Sequence, residues 1–532
     1  MDSVKTNIAT TMNQLLKNAV ERFPEKEAVY DGTRRLTYKE LDHESTAIAI
    51  ELRRLGINEG DHIAVSLPNW YEFVVSIFAI AKAGAVIIPF NTRYQSSEIE
   101  YILNDSKAKA AFFTDEIDDQ KQWSTYYKIY QKSKHLKHLI TVRSKRNQAI
   151  PYDDMVRNGL TSLGEERNLP EVTEEDLAVI MYTSGTTGNP KGAMLTHENI
   201  TFNARRSAEM LECRSDDVFL IQVPLFHIFG MSPGVIATIS FGAKMVLTQK
   251  FKAENALQIV EQEKITVHHG VPTMFILELN HPNLEKYDLT SLRTGIVAAA
   301  PVPSEVIGRI REKMHCEVLS SYGMTETSPS LTFCTFEDDD STKAKTVGRA
   351  MPGVQLKLID PETGEEVETG EVGEITAKSD GVMKGYYRMP EKTKEVFTVD
   401  GWYRTGDLGT MDVKGNIRIV GRKKDLIIRG GYNIYPREVE EYFYKLEDVV
   451  EVAIVGLPDT VLGQVSCAAV TLKENSKMTE EDLQLFIEEK VADFKVPDMI
   501  TIVNELPMTA SGKISKISLQ NELEKSLKHR LR

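Results

Sequence analysis

Three glycines, four hydroxyl residues and one lysine are concentrated in a single short run, YTSGTTGNPKG, from Tyr182 to Gly192. Glycines let backbone N–H groups approach an anion, and the hydroxyls of Thr183, Ser184, Thr186 and Thr187 add donors. Lys191 adds a positive charge, so the run has the makings of a loop that wraps phosphate oxygens. A plain surface turn would explain the glycines but not the hydroxyl-rich order. The P-loop pattern GxxxxGK[ST] fails here, because Pro190 stands where its second glycine belongs and Gly192 where Ser or Thr is required. A P-loop ATPase is therefore excluded.

Four more motifs follow in order: SYGMTE (321 to 326), WYRTGDLG (402 to 409), GRKKDLIIRGGYNIYPREVE (421 to 440) and TASGKI (509 to 514). Together with the first run they resemble the adenylate-forming superfamily over essentially the whole chain. That superfamily contains acyl-CoA synthetases, aryl-CoA ligases, firefly luciferase and the adenylation domains of peptide synthetases, and the pattern is most similar to a bacterial-type fatty acyl-CoA ligase. The resemblance implies ATP, magnesium and CoA as the small molecules used beside a carboxylic acid. It implies nucleotide contacts from Thr183, Ser184, Gly185, Thr186, Thr187, Gly188 and Lys191, and from Ala299, Ala300 and Pro301. Ser321, Tyr322, Gly323, Met324, Asp407 and Arg422 complete that set.

The residue types suit these roles. Tyr322 can stack on adenine, Thr325 can hydrogen-bond a phosphate, and Glu326 offers a hard oxygen ligand for magnesium. Asp407, with two acceptor oxygens, suits the ribose hydroxyls, and Arg422 is expected at the same ribose or at the phosphate. By similarity Lys513 is the catalytic lysine, its charge stabilising the pentavalent state as the acid attacks the α-phosphorus. Ser515, before Lys516, stands where relatives carry a basic residue. The resemblance makes Lys424 a hinge and has Gly430, Gly431 and Tyr432 line the path of the CoA pantetheine.

For the acid, the segment PLFHIFGM (224 to 231) resembles one in which His227 lies beside the carboxylate. A lone histidine among apolar neighbours is otherwise an ordinary core residue; here it is read as a contact and not a base, since the carboxylate is already ionised at neutral pH. Ile228, Phe229, Ile296, Ala298 and Ser330 complete the expected acid-binding set. Ala298 stands where many relatives have glycine. A medium- or long-chain fatty acid is expected. The alternatives are an aryl-CoA ligase, a freestanding enzyme that loads a carrier protein, a luciferase-like oxygenase, and a non-catalytic nucleotide- or acyl-binding protein. The filled phosphate, metal, ribose and lysine positions argue against the last.

The elements that position these residues follow from composition and periodicity. With 532 residues the chain exceeds the roughly 250–300 at which one core stops growing, so it is expected to be multi-domain. Thr37-Tyr38-Lys39-Glu40 is a capping box opening a helix that Gly56 stops. Helix and strand then alternate at 70 to 88 and 95 to 113, the pattern of a helix-covered, mostly parallel sheet. The apolar stretch Phe73 to Phe90 contains Lys82 and Gly84 and reads as helix, turn and strand, not as a membrane span. The expected fold is α/β: a large N-terminal domain of helix-covered sheets plus a small distorted β-barrel, and a smaller mobile α+β C-terminal domain. Its expected bounds are 1–423, with sub-lobes near 1–175, 176–345 and 346–423, and 424–532. A net charge of -14 disfavours a nucleic-acid partner. Cys213, Cys316, Cys334 and Cys467 show no disulfide or zinc spacing, and no signal layout precedes the first helix. A cytoplasmic enzyme without integral membrane association, able to pair as a homodimer, is expected.

Overall fold

The structure, a computed structural model, describes residues 9–117, 120–183, 190–300, 302–508 and 514–526. Ser184, Gly185, Thr186, Thr187, Gly188, Pro301 and Lys513 lie outside the described residues.

The chain divides into two compact units, residues 1–355 with 377–401, and residues 356–376 with 402–532. In the first unit the sequence patterns become two large sheets. The capping box forms on both sides, with Thr37 and Glu40 each satisfying the other's backbone N–H, and the helix Tyr38–Arg54 follows. Gly56 then adopts φ +79°, the left-handed conformation glycine tolerates without strain. The stretch Phe73 to Phe90 becomes the helix Tyr71–Lys82 and the strand Val86–Pro89, buried throughout as a two-sided parallel sheet requires. No helix among the described residues is long and apolar enough to cross a membrane.

One sheet has eight strands among the described residues, in the order 385–386, 191–196, 177–183, 86–89, 62–66, 110–114, 138–142 and 150–151. The other has nine, in the order 349–350, 330–333, 317–323, 294–297, 267–268, 218–221, 244–247, 27–30 and 35–37. These orders correct the sub-lobes drawn from sequence. Strand Leu177–Thr183, expected to open a second lobe, lies inside the first sheet, with Val179 paired in parallel to Ile87. The segment before it contains the helix Tyr152–Leu160, which packs so closely on helix Tyr38–Arg54 that a Cβ on Gly159 would sit 2.2 Å from the Ala47 carbonyl oxygen. The strand-rich run after 346 is likewise shared out: Arg349–Ala350 joins the nine-stranded sheet, Gly385–Tyr386 joins the eight-stranded one, and Gln355–Ile359, Gly373–Lys378, Tyr403–Met411 and Ile417–Arg422 form a four-stranded sheet.

The second unit continues as an α+β body. Strands Val449–Asp459 and Gly463–Leu472 form a long antiparallel pair. Helices Pro436–Phe443 and Glu480–Glu488 contribute Val439, Phe443, Leu483 and Ile487 to its core. Helix Lys516–Ser526, which periodicity did not single out, seats Leu519 and Leu523 in a smaller cluster with Leu457 and Cys467.

Candidate functional site

Three of the segments singled out in the sequence leave the carboxyl ends of parallel strands in the nine-stranded sheet. Ala298 to Ala300 follow strand Thr294–Val297, Ser321 to Met324 end strand Glu317–Gly323, and the run containing His227 follows strand Val218–Ile221. The first two strands are neighbours, and only Val267–His268 separates them from the third. In open α/β sheets that edge is where ligands bind, because loops diverge there around a crevice. Ala299 has φ +73°, a conformation uncommon for a side chain beyond glycine, and Ala299 and Ala300 are exposed.

The SYGMTE segment is built around a close backbone approach. A Cβ on Gly323 would lie 1.7 Å from the Pro329 carbonyl oxygen, so only glycine fits. The Met324 N–H donates to that same oxygen at 3.0 Å, folding Thr325–Thr327 into a short 3-10 turn that carries Glu326. Tyr322 is half-buried, and the Ser321 hydroxyl lies 3.1 Å from that of Ser330.

Glu326 is 9% exposed, and its Oε1 accepts a hydrogen bond from the Tyr386 hydroxyl at 2.8 Å. Tyr386 pairs across strands with Ala193, and the Lys191 Nζ lies 4.2 Å from the centre of its ring. Lys191 in turn pairs with Thr183 at the base of the hydroxyl-rich loop, and the Thr183 hydroxyl donates to the Lys191 carbonyl oxygen at 3.3 Å. One tyrosine therefore ties Lys191 to the Glu326 carboxylate. Among the described residues no group of three or more His, Cys, Asp or Glu could hold a metal ion. A single carboxylate with one oxygen held by a donor fits a magnesium ion that takes its other ligands from water and substrate phosphates.

In the PLFHIFGM run, a Cβ on Gly230 would lie 2.3 Å from the Pro224 carbonyl oxygen, so the chain folds tightly back into the π-helical turn Gly230–Ile236. Asn69 pins the run from the neighbouring sheet: its amide donates to Val223 O at 3.0 Å and its Oδ1 accepts from Leu225 N–H at 2.9 Å. His227 is exposed, Phe229 half-buried and Ile228 buried. Ile296 and Ser330 are buried, and Ala298 is half-buried with its N–H donating to Gly270 O at 3.3 Å.

In the second unit, Asp407 and Arg422 face each other across antiparallel strands, and the Arg422 Nε lies 3.1 Å from the Asp407 Oδ1. Lys424 sits in the 3-10 turn Lys423–Asp425 that leaves this sheet. Gly430 and Gly431, with φ +56° and +87°, form the two-residue turn of the hairpin Ile427–Arg429 and Tyr432–Ile434, the I′-like geometry that Gly-Gly favours. Tyr432 is 58% exposed and stacks on Phe494 with ring centres 4.9 Å apart.

Family models for the AMP-binding enzyme and for the AMP-binding enzyme C-terminal domain match residues 16–387 and 438–513. The chain belongs to the AMP-binding enzyme family. It is 39% identical to the putative acyl-CoA synthetase YngI of Bacillus subtilis, the match covering 97% of each chain. It is 36% identical to the mitochondrial medium-chain acyl-CoA ligase ACSF2 of Mus musculus, over 98% of this chain and 89% of that one. The ATP-bound MatB of Rhodopseudomonas palustris matches with a TM-score of 0.84 at 30% identity, over 97% of this chain and 99% of that one. The protein is an adenylate-forming, AMP-forming acid–CoA ligase that uses ATP and CoA.

Sequence reasoning missed two residues that hold the ligase's site together. The first is Tyr386, whose position depends on strand pairing between segments almost two hundred residues apart. The second is Asn203, wholly buried on helix His197–Met210. Its amide donates to Thr327 O at 2.9 Å and Ser330 O at 2.7 Å, and its Oδ1 accepts from Ser330 N–H at 3.1 Å. One side chain thus clamps the turn that carries Glu326. A signal was present: Asn199, Asn203 and Ser207 recur every fourth residue, a polar stripe on one helix face.

Proposed function

We propose that the ligase activates a medium- or long-chain fatty acid. A carboxylate oxygen attacks the α-phosphorus of ATP and pyrophosphate leaves, giving the acyl-adenylate. The sulfur of CoA then attacks the acyl carbonyl, the acyl–phosphate bond breaks, and AMP leaves with the thioester formed.

On this reading Lys191 and the hydroxyl-rich loop from Thr183 hold phosphate oxygens, and Tyr322 and Ala299 to Pro301 flank the adenine. Asp407 and Arg422 bind the ribose, and Lys513 stabilises the charge that builds on the α-phosphate. A magnesium ion held by Glu326 would neutralise phosphate charge, with Tyr386 fixing the carboxylate that receives it. Residues 424–532 turn about Lys424 between the half-reactions, bringing Gly430, Gly431 and Tyr432 to the pantetheine. Four buried, unpaired thiols fit a reducing compartment such as the cytoplasm.

The observation that carries the choice of acid is the absence of charge from the segments read as its walls. Ile228 to Ser232, Thr294 to Ala299 and Pro329 to Leu331 contain no charged side chain. Each methylene buried against such walls contributes about 0.8 kcal/mol, whereas a ring hydroxyl left unpaired there costs about 1–3 kcal/mol. The name of the mouse relative agrees with this reading. CoA-dependent AMP release measured across short, medium and long fatty acids, benzoate and coumarate tests it. Ala298→Phe should move the optimum to shorter chains by filling the cleft. A higher kcat/KM for coumarate or benzoate than for every fatty acid would defeat the substrate assignment, and an unchanged optimum in the variant would remove Ala298 from the cleft.

A further inference from the structure

Strand Val267–His268 lies between the two strands whose ends carry the expected acid-binding residues, and two histidines close it. Neighbouring side chains on an extended segment point to opposite faces. His268 points one way, with its Nε2 2.9 Å from Glu278 Oε2 and its ring against Phe275. His269 points the other way and is wholly buried. Its Nδ1 accepts from the Ile296 N–H at 3.1 Å and its Nε2 faces the Pro233 carbonyl oxygen at 3.2 Å. One ring face stacks on Phe229, with centres 5.9 Å apart, and Phe219 meets it edge-on at 5.6 Å.

These partners fix the tautomer. A backbone N–H can only donate and a carbonyl can only accept, so the proton sits on Nε2 and the ring is neutral. An imidazolium would oppose a second N–H to that of Ile296. Burial acts in the same direction, pushing the His269 pKa down to about 3. A phenylalanine would fill such a space more cheaply if filling were all that was needed, because burying polar nitrogens costs free energy unless they are bonded. Both nitrogens are bonded here, and to two segments that lie on either side of the strand and do not pair with each other.

We propose that His269 is a specificity-determining positioning residue, its ring spacing Phe229 and Pro233 from Ile296 and so setting the width of the cleft that receives the acyl chain. This rests on the reading that Phe229 and Ile296 line that cleft. His269 does not touch the reacting atoms; it acts through the two walls it joins.

The test compares the full-length ligase with His269→Phe, which keeps a stacking ring but removes both polar contacts, and His269→Asn, which can keep an acceptor near the Nδ1 position. For each, KM and kcat for a series of straight-chain fatty acids, KM for ATP and the thermal midpoint are measured. His269→Phe should raise KM for the preferred acid about ten- to a hundredfold, the scale of leaving two buried backbone groups unpaired, and shift or flatten the chain-length optimum. KM for ATP should stay within about twofold, and His269→Asn should recover part of the acid KM. Equal changes in acid and ATP parameters, an unchanged chain-length profile, or failure of both variants to fold would overturn the proposal by making His269 a general structural residue. If the wild-type ligase prefers an aromatic acid, the substrate assignment fails, and the same split between acid and ATP KM measured with that acid decides the role of His269.

Discussion

Replacing Tyr386 with phenylalanine removes one oxygen and leaves the rest of a nearly buried side chain in place. The ring is 4% exposed and keeps its place 4.2 Å from the Lys191 ammonium, so the change removes the 2.8 Å bond to Glu326 while keeping the ring contact. Hydrogen bonds to charged groups are worth about 1.5–3 kcal/mol, which corresponds to about ten- to a hundredfold in an equilibrium constant. Glu326 is 9% exposed, so water can replace part of the lost donor, and the lower end is expected. On the reading that Glu326 holds magnesium, Tyr386→Phe should raise the magnesium concentration needed for half-maximal ATP–pyrophosphate exchange about tenfold. Exchange at saturating magnesium should be reduced much less, because the carboxylate remains. Manganese titration of the nucleotide complex, followed by electron paramagnetic resonance, should show the same weakening without turnover. The reasoning is refuted if the variant matches wild type in both titrations, since the tyrosine hydroxyl would then not be orienting a metal ligand. A loss of exchange that no concentration of metal restores would place the defect at Lys191 or in the fold instead.

Lys513→Ala should lower acyl-adenylate formation by about a hundred- to a thousandfold, the effect of losing one electrostatic stabiliser, while thioester formation from supplied acyl-adenylate and CoA survives; equal loss in both steps contradicts the assignment. Lys424→Pro should do the reverse, because proline fixes a torsion that a hinge must change, so pyrophosphate exchange should persist and single-turnover thioester formation should fail. Burial pushes His197 down to about 4, and its Nδ1 accepts from the Met12 N–H at 3.4 Å. The unfolded chain, with a histidine pKa near 6.5, therefore takes up that proton first. The stability contributed by neutral His197 is fully present above about pH 6.5 and is lost as the pH falls towards 4. The thermal midpoint should drop across that window, and His197→Gln should flatten the drop; a midpoint that stays level until below pH 4 would count against it.

The local features of this ligase were written into adjacent residues. Thr37 and Glu40 cap a helix because a hydroxyl and a carboxylate three positions apart can each reach the other's backbone N–H. Gly430 and Gly431 close a hairpin because both positions need positive φ. The hydroxyl-rich run, the SYGMTE segment and Asp407 stood out because side chains suited to phosphate, metal and ribose, the roles proposed for them, come there in short ordered strings.

Tertiary structure alone decided what depends on pairing between distant segments. Nothing near Leu177–Thr183 says that it slots in beside Val86–Pro89 and not at the start of a new lobe; an apolar strand offers the same N–H and C=O ladder to any partner, and register is settled by the competing strands. The same limit hid Tyr386, Asn203 and His269. Tyr386 and His269 look like ordinary strand or core residues in the sequence and Asn203 shows only as part of a polar stripe, and each acquires its role because folding brings a backbone carbonyl, a carboxylate or an aromatic ring within hydrogen-bonding or stacking distance. A buried polar atom must find a partner, and which partner it finds is set by the sheet order that no local stretch of this chain encodes.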